Sequence, residues 1–557
     1  MLRKTRFLQQ SHHLPTTILI FLCAVSTAIS VEPPQIDRLY PAGGQQGTSV
    51  NVELGGKPAA AALQSWCSHD QLQVTIADDR KFANVVIPAD AEPGVHWLRF
   101  FNATGVSDPR AFIVGHTTET VEEESNDLPA QAEKITDSAV TVNGVLGTTG
   151  DVDTYRIQVP AGRTLVASME ANRQLGSPMD AVLQILNAQG TVVAQNDDDH
   201  AMDPQIAYEV PSEGDYFVRT FAFPSAPNST IKLAGAATYV YRLTITHGPF
   251  IDHVFPAVVD QRSDSAVTIC GWNLVDQQQT VGITAFHDQQ RYFGRDFALP
   301  HTVYGVTHSS QVESEVSRAL AVNSSISGRV ARVGEKDEYT LPGTQGQKLT
   351  VSVKAREIYS LLDPVLIIRS AGGKVLSEVD DLSGANPDVE TTITVPDDGP
   401  LSVTVEDRYQ SGGYRYFYVL TCQETQPTVT ATVGADQYVA DKDEAIDVPI
   451  TITRKNGFAE PLTVSLERLP EGITAKPVIS EKDGDTSKLV TLKLHRSQNA
   501  AAFSGAIQVL CRSENHAHRQ FATAAIPNSQ ATTSEIWLTV IPMEKKTAAP
   551  KGAEQGG

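Results

Sequence analysis

Six oxygen-bearing side chains stand in two short groups. Glu122, Glu124, Asn126 and Asp127 lie in the run Glu122-Glu123-Glu124-Ser125-Asn126-Asp127. Asp151 and Asp153 lie in Gly150-Asp151-Val152-Asp153-Thr154-Tyr155. In an extended segment alternate side chains share a face, so Glu122, Glu124 and Asn126 project together, and so do Asp151 and Asp153. Brought against each other, the two groups offer a mixed set of oxygens to a hard cation such as calcium, which takes about six to eight. Without a cation the same carboxylates repel one another. The competing reading is a solvated acidic linker, the ordinary meaning of a charge run. A second run, Asn196-Asp197-Asp198-Asp199-His200, has Ala201 and Met202 where an EF-hand needs a ligand and a glycine, and reads as a polar turn. No HExxH, GxSxG or glycine-rich phosphate loop is present. His516 and His518 sit in a polar loop without a third ligand nearby. The expectation is therefore a protein without catalytic residues.

The elements that must position the six residues repeat. Gly150–Tyr155 recurs as Gly334–Tyr339, Asp180 as Asp363, Pro211–Gly214 as Pro396–Gly399 and Tyr239–Leu243 as Tyr416–Leu420, at nearly constant offset. Four landmarks in one order mean two copies of one domain. A second repeat interleaves with the first: Ile36-Asp37-Arg38-Leu39-Tyr40-Pro41 recurs as Ile251-Asp252-His253-Val254-Phe255-Pro256. Short alternating runs bounded by Gly, Asp, Asn and Pro indicate strands throughout, and no helical period is sustained. The fold class expected is all-β, a tandem array of jelly-roll-like and immunoglobulin-like β-sandwiches. The expected modules are 31–118, 119–246, 247–310, 311–424 and 427–542, with a small, polar, disordered tail over 543–557.

Bulk properties narrow the class. Arg3, Lys4 and Arg6, the apolar run Thr16–Val25 and the small-residue site Ala28-Ile29-Ser30 read as a secretory signal over 1–30. Its removal carries the net charge from −21 to −24. That opposes nucleic acid and anionic lipid as partners and suits an exported protein that meets cations. No segment after residue 30 is long and apolar enough to span a bilayer. Cys67, Cys270, Cys422 and Cys511 fall in four different modules, without CxxC spacing, and are expected to be free thiols. Tyr414, Tyr416 and Tyr418, with Tyr409 upstream, form a stripe that fits either a recognition face or core packing. Trp272 and Trp537 are assigned to cores.

The module over 119–246 resembles the bacterial pre-peptidase C-terminal domain, a β-sandwich appended to exported peptidases. The residues that carry the resemblance are Glu122-x-Glu124-x-Asn126-Asp127, Gly150-Asp151-x-Asp153-x-Tyr155, Met179-Asp180-x-x-Leu183, Asn196-Asp197-Asp198 and Pro211-x-x-Gly214-x-Tyr216. The module over 311–424 resembles the same domain with departures. Its leader is Glu313-Ser314-Glu315-Val316-Ser317-Arg318, with Ser317 and Arg318 placed where the first copy has Asn126 and Asp127. Modules 31–118 and 247–310 resemble the TIG/IPT immunoglobulin-like fold, the cue being Ile269-Cys270-Gly271-Trp272-Asn273-Leu274. The resemblance to the related collagen-binding modules of secreted collagenases implies calcium at the acidic leader, with Glu122, Glu124, Asn126, Asp127, Asp151 and Asp153 as the metal set and a weaker site, or none, in the second copy. The function implied is an exported, non-catalytic adhesion, scaffold or substrate-docking protein of the cell envelope or extracellular space, acting on an extracellular protein or glycan. The alternative is an accessory or targeting subunit of a secreted peptidase or other hydrolase.

Overall fold

The computed structural model describes residues 32–58, 62–69, 71–226, 232–274, 278–283, 289–292, 301–314, 318–383, 386–514, 518–529 and 531–542. The leader over 1–30, Glu315, Ser317, His516 and the tail over 543–557 lie outside the described residues. The regular secondary structure of the described residues is nearly all strand. Its only helical pieces are one α-turn, Asn172–Leu175, and one 3-10 turn, Arg356–Ile358. Strands form where burial alternates with a period of two, as in Lys336–Gly343, whose inward Asp337, Tyr339 and Leu341 are buried while Lys336, Glu338 and Thr340 face water.

The sheets pair into successive sandwiches. In the first, Gln35–Tyr40, Ser49–Lys57, Phe82–Val86 and Gln73–Ile76 face a sheet of Gly43–Gln45, Arg110–Gly115, Gly94–Asn102 and Gln64–Cys67. In the second, Thr118–Val121, Ala139–Val145, Val240–Thr246, Thr164–Glu170 and Gln205–Glu209 face Glu133–Ile135, Asp153–Val159, Gly214–Pro224, Met179–Leu186 and Val192–Asn196. The third sandwich is a smaller version of the first, three strands on three, opened by Phe250–Phe255 and Ser265–Trp272. The fourth reproduces the strand order of the second: Ser309–Val312, Ser324–Arg329, Phe417–Glu424, Lys348–Lys354 and Val389–Thr394 face Lys336–Gly343, Gly399–Asp407, Pro364–Arg369 and Val375–Val379. The counterpart of Glu133–Ile135 shrinks there to a single bridge, Ala319 to Thr340. The fifth packs Thr428–Val433, Ile446–Lys455, Leu489–Arg496 and Ile473–Ala475 on a sheet containing Ile536–Val540, Phe503–Ser513 and Leu462–Glu467. The four described cysteines form no disulfide with one another; Cys270, Cys422 and Cys511 are buried and Cys67 is half-buried.

The sandwiches are not strung out. Arg415 of the fourth donates a bidentate pair to Asp199 of the second, at 2.9 and 2.7 Å, and its Nε lies 3.0 Å from Asp252 of the third. Burial alone would raise Asp252, but hydrogen bonding from His253 and the charge of Arg415 hold it at about 2. The first sandwich meets the fifth through Arg99 and Asp436, 2.8 Å apart, among Trp66, Phe101 and Trp537. Trp537 therefore fills a joint between sandwiches and not the core of one. Half-buried Trp272, with its ring tilted against Phe250 and lying under Arg415, belongs to the central joint in the same way. Residues of every sandwich, among them Trp97, Arg173, Gln205, His301, Tyr359 and Ser529, line an open cavity of about 770 Å³.

Two imidazoles tie the joint's stability to pH. Burial lowers His200 and His301 from 6.5 to about 4, and His301 Nε2 donates to the Ile251 carbonyl at 2.7 Å. Below pH 6.5 the unfolded chain takes up protons that these folded groups refuse, so stability falls as pH drops from about 6.5 towards 4. Thermal melts across that range should show the fall. His301→Gln, which keeps a donor for the carbonyl, should remove the His301 share of the fall and leave that of His200.

Candidate metal centre

The strand Asp153–Val159 begins at the edge of one sheet of the second sandwich, and Asp153 and Tyr155 share its inward face. Tyr241 reaches the same point from Val240–Thr246 of the opposite sheet. The two phenols meet at 2.6 Å, and the Tyr241 hydroxyl donates to Asp153 Oδ2 at 2.5 Å. Glu122 closes the cage. Its Oε1 accepts the Val145 N–H at 2.8 Å, and its Oε2 lies 3.2 Å from the Tyr241 hydroxyl and 3.4 Å from that of Tyr155. Gly144 is required here, because a Cβ would overlap both the Tyr241 ring and the Glu122 carboxylate.

Asp151 is fixed by the turn that precedes the strand. Its carboxylate accepts the N–H groups of Gly147 at 2.6 Å, Thr148 at 3.3 Å and Val152 at 3.1 Å. Oxygens of Glu124, Asp151 and Asp153 all come within 4.8 Å of one another. Beside Glu124, Asn126 donates its own N–H to Glu124 Oε2 at 3.2 Å. Its side chain is 1 % exposed, and neither Oδ1 nor Nδ2 meets a protein partner. Asp153 Oδ1 is likewise buried and unpartnered. An unmet buried polar group costs about 1–3 kcal/mol, more when charged. Two of these atoms, Asn126 Oδ1 and Asp153 Oδ1, are oxygens that fit a bound cation, whereas Asn126 Nδ2 is a donor and does not. A donor set of carboxylate and amide oxygens without sulfur or imidazole suits a hard ion.

The six sequence candidates are placed unequally. Glu124, Asp151 and Asp153 come together and Asn126 is buried. Glu122 points inward to the tyrosines, while Asp127 is exposed and contributes its carbonyl to Thr154 Oγ1 at 3.3 Å. The common face drawn for Glu122, Glu124 and Asn126 is not formed, because the leading strand ends at Val121 and the next residues leave the two-residue period. Burial first, then the negative neighbours, push both Glu122 and Asp153 well above the usual carboxylate range.

The fourth sandwich repeats the cage. Tyr339 donates to Glu313 at 2.6 Å and meets Tyr418 at 2.6 Å, and Tyr418 donates to Asp337 Oδ2 at 2.7 Å. Gly328 stands where Gly144 does, and a Cβ there would strike Tyr418 and Glu313. The difference is Arg318, whose Nη1 donates to Asp337 Oδ1 at 3.1 Å. Strand pairing corrects the alignment of this leader. Ala319 pairs with Thr340 as Lys134 pairs with Arg156, so Arg318 answers to Glu133 and not to Asp127. Eleven positions separate Glu122 from Glu133 and five separate Glu313 from Arg318, so the second copy lacks six leader residues.

Other sequence candidates have structural roles. Tyr418 belongs to the cage and Tyr416 packs on the core, while Tyr414 stacks on His253 with its outer part exposed and Tyr409 is exposed. The Asn196–His200 run ends the strand Val192–Asn196 and bends from Asp197 onward, and its Asp199 is buried as the partner of Arg415. His518 packs edge-on against Phe458. Sequence reasoning took Tyr155 and Tyr241 as landmarks or core; their recurrence as Tyr339 and Tyr418 was the signal of a polar role.

Residues 151–222 match the bacterial pre-peptidase C-terminal domain family. A probable subtilase-type serine protease of Deinococcus radiodurans is 31 % identical over 96 residues, 17 % of this chain and 13 % of that protease. The chain thus spans about an eighth of that relative's length, and the match falls on the pre-peptidase region. Two solved structures are similar at low identity. The N-terminal four immunoglobulin domains of Dscam1 isoform 8.4 are 11 % identical, covering 91 % of this chain and 98 % of that one at a TM-score of 0.19. The periplasmic g-type lysozyme inhibitor PliG of Aeromonas hydrophila is 12 % identical, covering 23 % and 98 % at 0.16. No helix among the described residues is long and apolar enough to cross a membrane.

In chelator the raised carboxyls of the cage give a pH signature. The folded state holds protons that the unfolded chain releases near pH 4, so the stability of the second sandwich falls as pH rises from there. Asp153→Asn, which needs no proton, should remove most of that dependence in thermal melts of chelated protein.

Proposed function

We propose that the chain is an exported, non-catalytic, multi-sandwich protein whose second sandwich holds calcium and which docks an extracellular protein or glycan. The observation that carries the calcium reading is the buried, unpartnered pair of Asn126 and Asp153 Oδ1 beside Glu124 and Asp151. Glu124, Asp151, Asp153 and Asn126 would hold the ion, with Glu122 behind them. Its charge would offset the repulsion of the carboxylates and tie the leader to the sandwich. The cavity shared by the sandwiches, with Trp97 and Tyr359 among polar side chains, supports docking of a ligand. Common strand order and a common tyrosine cage support reading the fourth sandwich as a second pre-peptidase-like domain. The repeated opening strands at Ile36 and Ile251 support the TIG/IPT-like reading of the first and third.

A second reading is favoured by the subtilase-type relative: this chain is an accessory or targeting subunit of a secreted hydrolase, exported to the periplasm or beyond. Pull-down with a secreted subtilase from the same cell, set against binding to matrix proteins and glycans, separates the two.

Titration of the full chain with calcium should give one bound ion. At 100 times Kd the ion adds about 2.7 kcal/mol, a rise of roughly 3–6 °C in the melting of the second sandwich. Asp151→Asn combined with Asp153→Asn should abolish the rise without unfolding the chain. Identical melts in calcium and in chelator would leave the acidic leader as a solvated linker.

A further inference from the structure

We infer that the chain has one cation-responsive joint, between its first and second sandwiches, and that Arg318 has made the matching joint between the third and fourth independent of ions. The inference rests on the calcium reading of the second sandwich and goes on to say what the ion controls.

The two joints occupy equivalent places and are built differently. At the first, the Tyr40 hydroxyl of the first sandwich lies 3.4 Å from Glu122 Oε1 of the cage and 3.4 Å from the Asn143 carbonyl. Asn143 Nδ2 donates to Glu119 at 2.8 Å, and Arg242 grips Glu119 while its guanidinium lies against Gly43 of the first sandwich. Gln45 of the first sandwich donates to the His116 carbonyl at 2.9 Å. The leader from His116 to Asn126 is thus held by the first sandwich on one side and by the cage on the other. Whatever orders Glu122 and Glu124 also orders the surface that Tyr40 meets.

At the second joint, Phe255 stands in the place of Tyr40, with no hydroxyl to reach a cage. Its ring lies 4.5 Å from the Arg329 guanidinium and packs near Phe417. Ala257, Val258, Ile358, Phe417 and Val419 form a small apolar core across the joint. The cage behind it carries its own positive charge in Arg318, and Asp337 has no unpartnered oxygen. A guanidinium tethered by the backbone cannot be removed by a chelator, whereas a bound ion can. One repeat therefore responds to the cation concentration and the other does not.

Hydrogen exchange followed by mass spectrometry on the full chain, in calcium and in EDTA, tests this. EDTA should speed exchange roughly tenfold in the leader over 116–135 and in the facing strands around Tyr40 and Gly43. Exchange over 250–260 and 309–330 should not change. Arg318→Gln should speed exchange over 309–330 equally in both buffers, and Arg318→Lys should restore part of the protection. If calcium protects 116–135 but leaves the first sandwich unchanged, the joint inference falls while the site stands. If 309–330 responds to EDTA, or Arg318→Gln leaves it unaltered, the role given to Arg318 falls. If EDTA changes nothing and no calcium binds, the site falls and the inference with it.

Discussion

A carboxylate taken out of water needs a positive partner, and this chain buries many carboxylates while carrying few cations to spare. Removing one member of a buried ion pair costs about 3–5 kcal/mol, because the other is left charged and unsolvated. The structure meets that constraint arginine by arginine. Asp436 has Arg99, Glu119 has Arg242, Asp199 and Asp252 share Arg415, and Asp337 has Arg318. Asp153 breaks the series. It is fully buried, it sits among Glu122, Glu124 and Asp151, and no lysine or arginine reaches it among the described residues. Buried Asp203, Asp388 and Asp407 are met by backbone N–H groups instead of an ion pair, so the informative contrast for Asp153 is with its equivalent, Asp337, which has Arg318.

The same constraint explains how separate sandwiches become one body. The main hydrophobic cores close within their own two sheets, and only a small apolar cluster crosses the joint between the third and fourth sandwiches. Two ion pairs that cross between sandwiches join residues 337 and 216 positions apart. Aromatic rings surround them: Trp66, Phe101 and Trp537 at Arg99, Trp272 and Tyr414 at the Arg415 joint. The rings exclude water and strengthen the electrostatics they enclose. Their removal would weaken a joint and leave the flanking cores intact.

Much of this was legible in the sequence and some could not be. The two interleaved repeats and the alternating runs yield the all-β class, because both are local patterns with a fixed period. The acidic leader and Asp151-x-Asp153 mark the place of the site. The geometry within it was misjudged where the strand period was extended past Val121. Asp199 looked like one of three equivalent aspartates in a turn, since nothing local distinguishes the one that meets an arginine 216 residues away. Trp537 looked like core for the same reason. The leader of the second copy was aligned by counting residues, and strand pairing at Ala319 shows that a six-residue difference had been absorbed silently.

Those six residues separate two properties of the cage. Its wall, made of one glutamate, two tyrosines and one aspartate drawn from both sheets, is the same in the second and fourth sandwiches. In the fourth it is satisfied by a guanidinium, a flat, weakly hydrated cation. The wall therefore asks for positive charge and does not by itself choose its carrier. On the calcium reading proposed above, the choice would lie with the longer leader, which brings Glu124 to Asp151 and Asp153 and buries the Asn126 amide beside Glu124. The tyrosines are continuous with the hydrophobic core, so an ion held at the cage would act on the packing of both sheets and not on the leader alone.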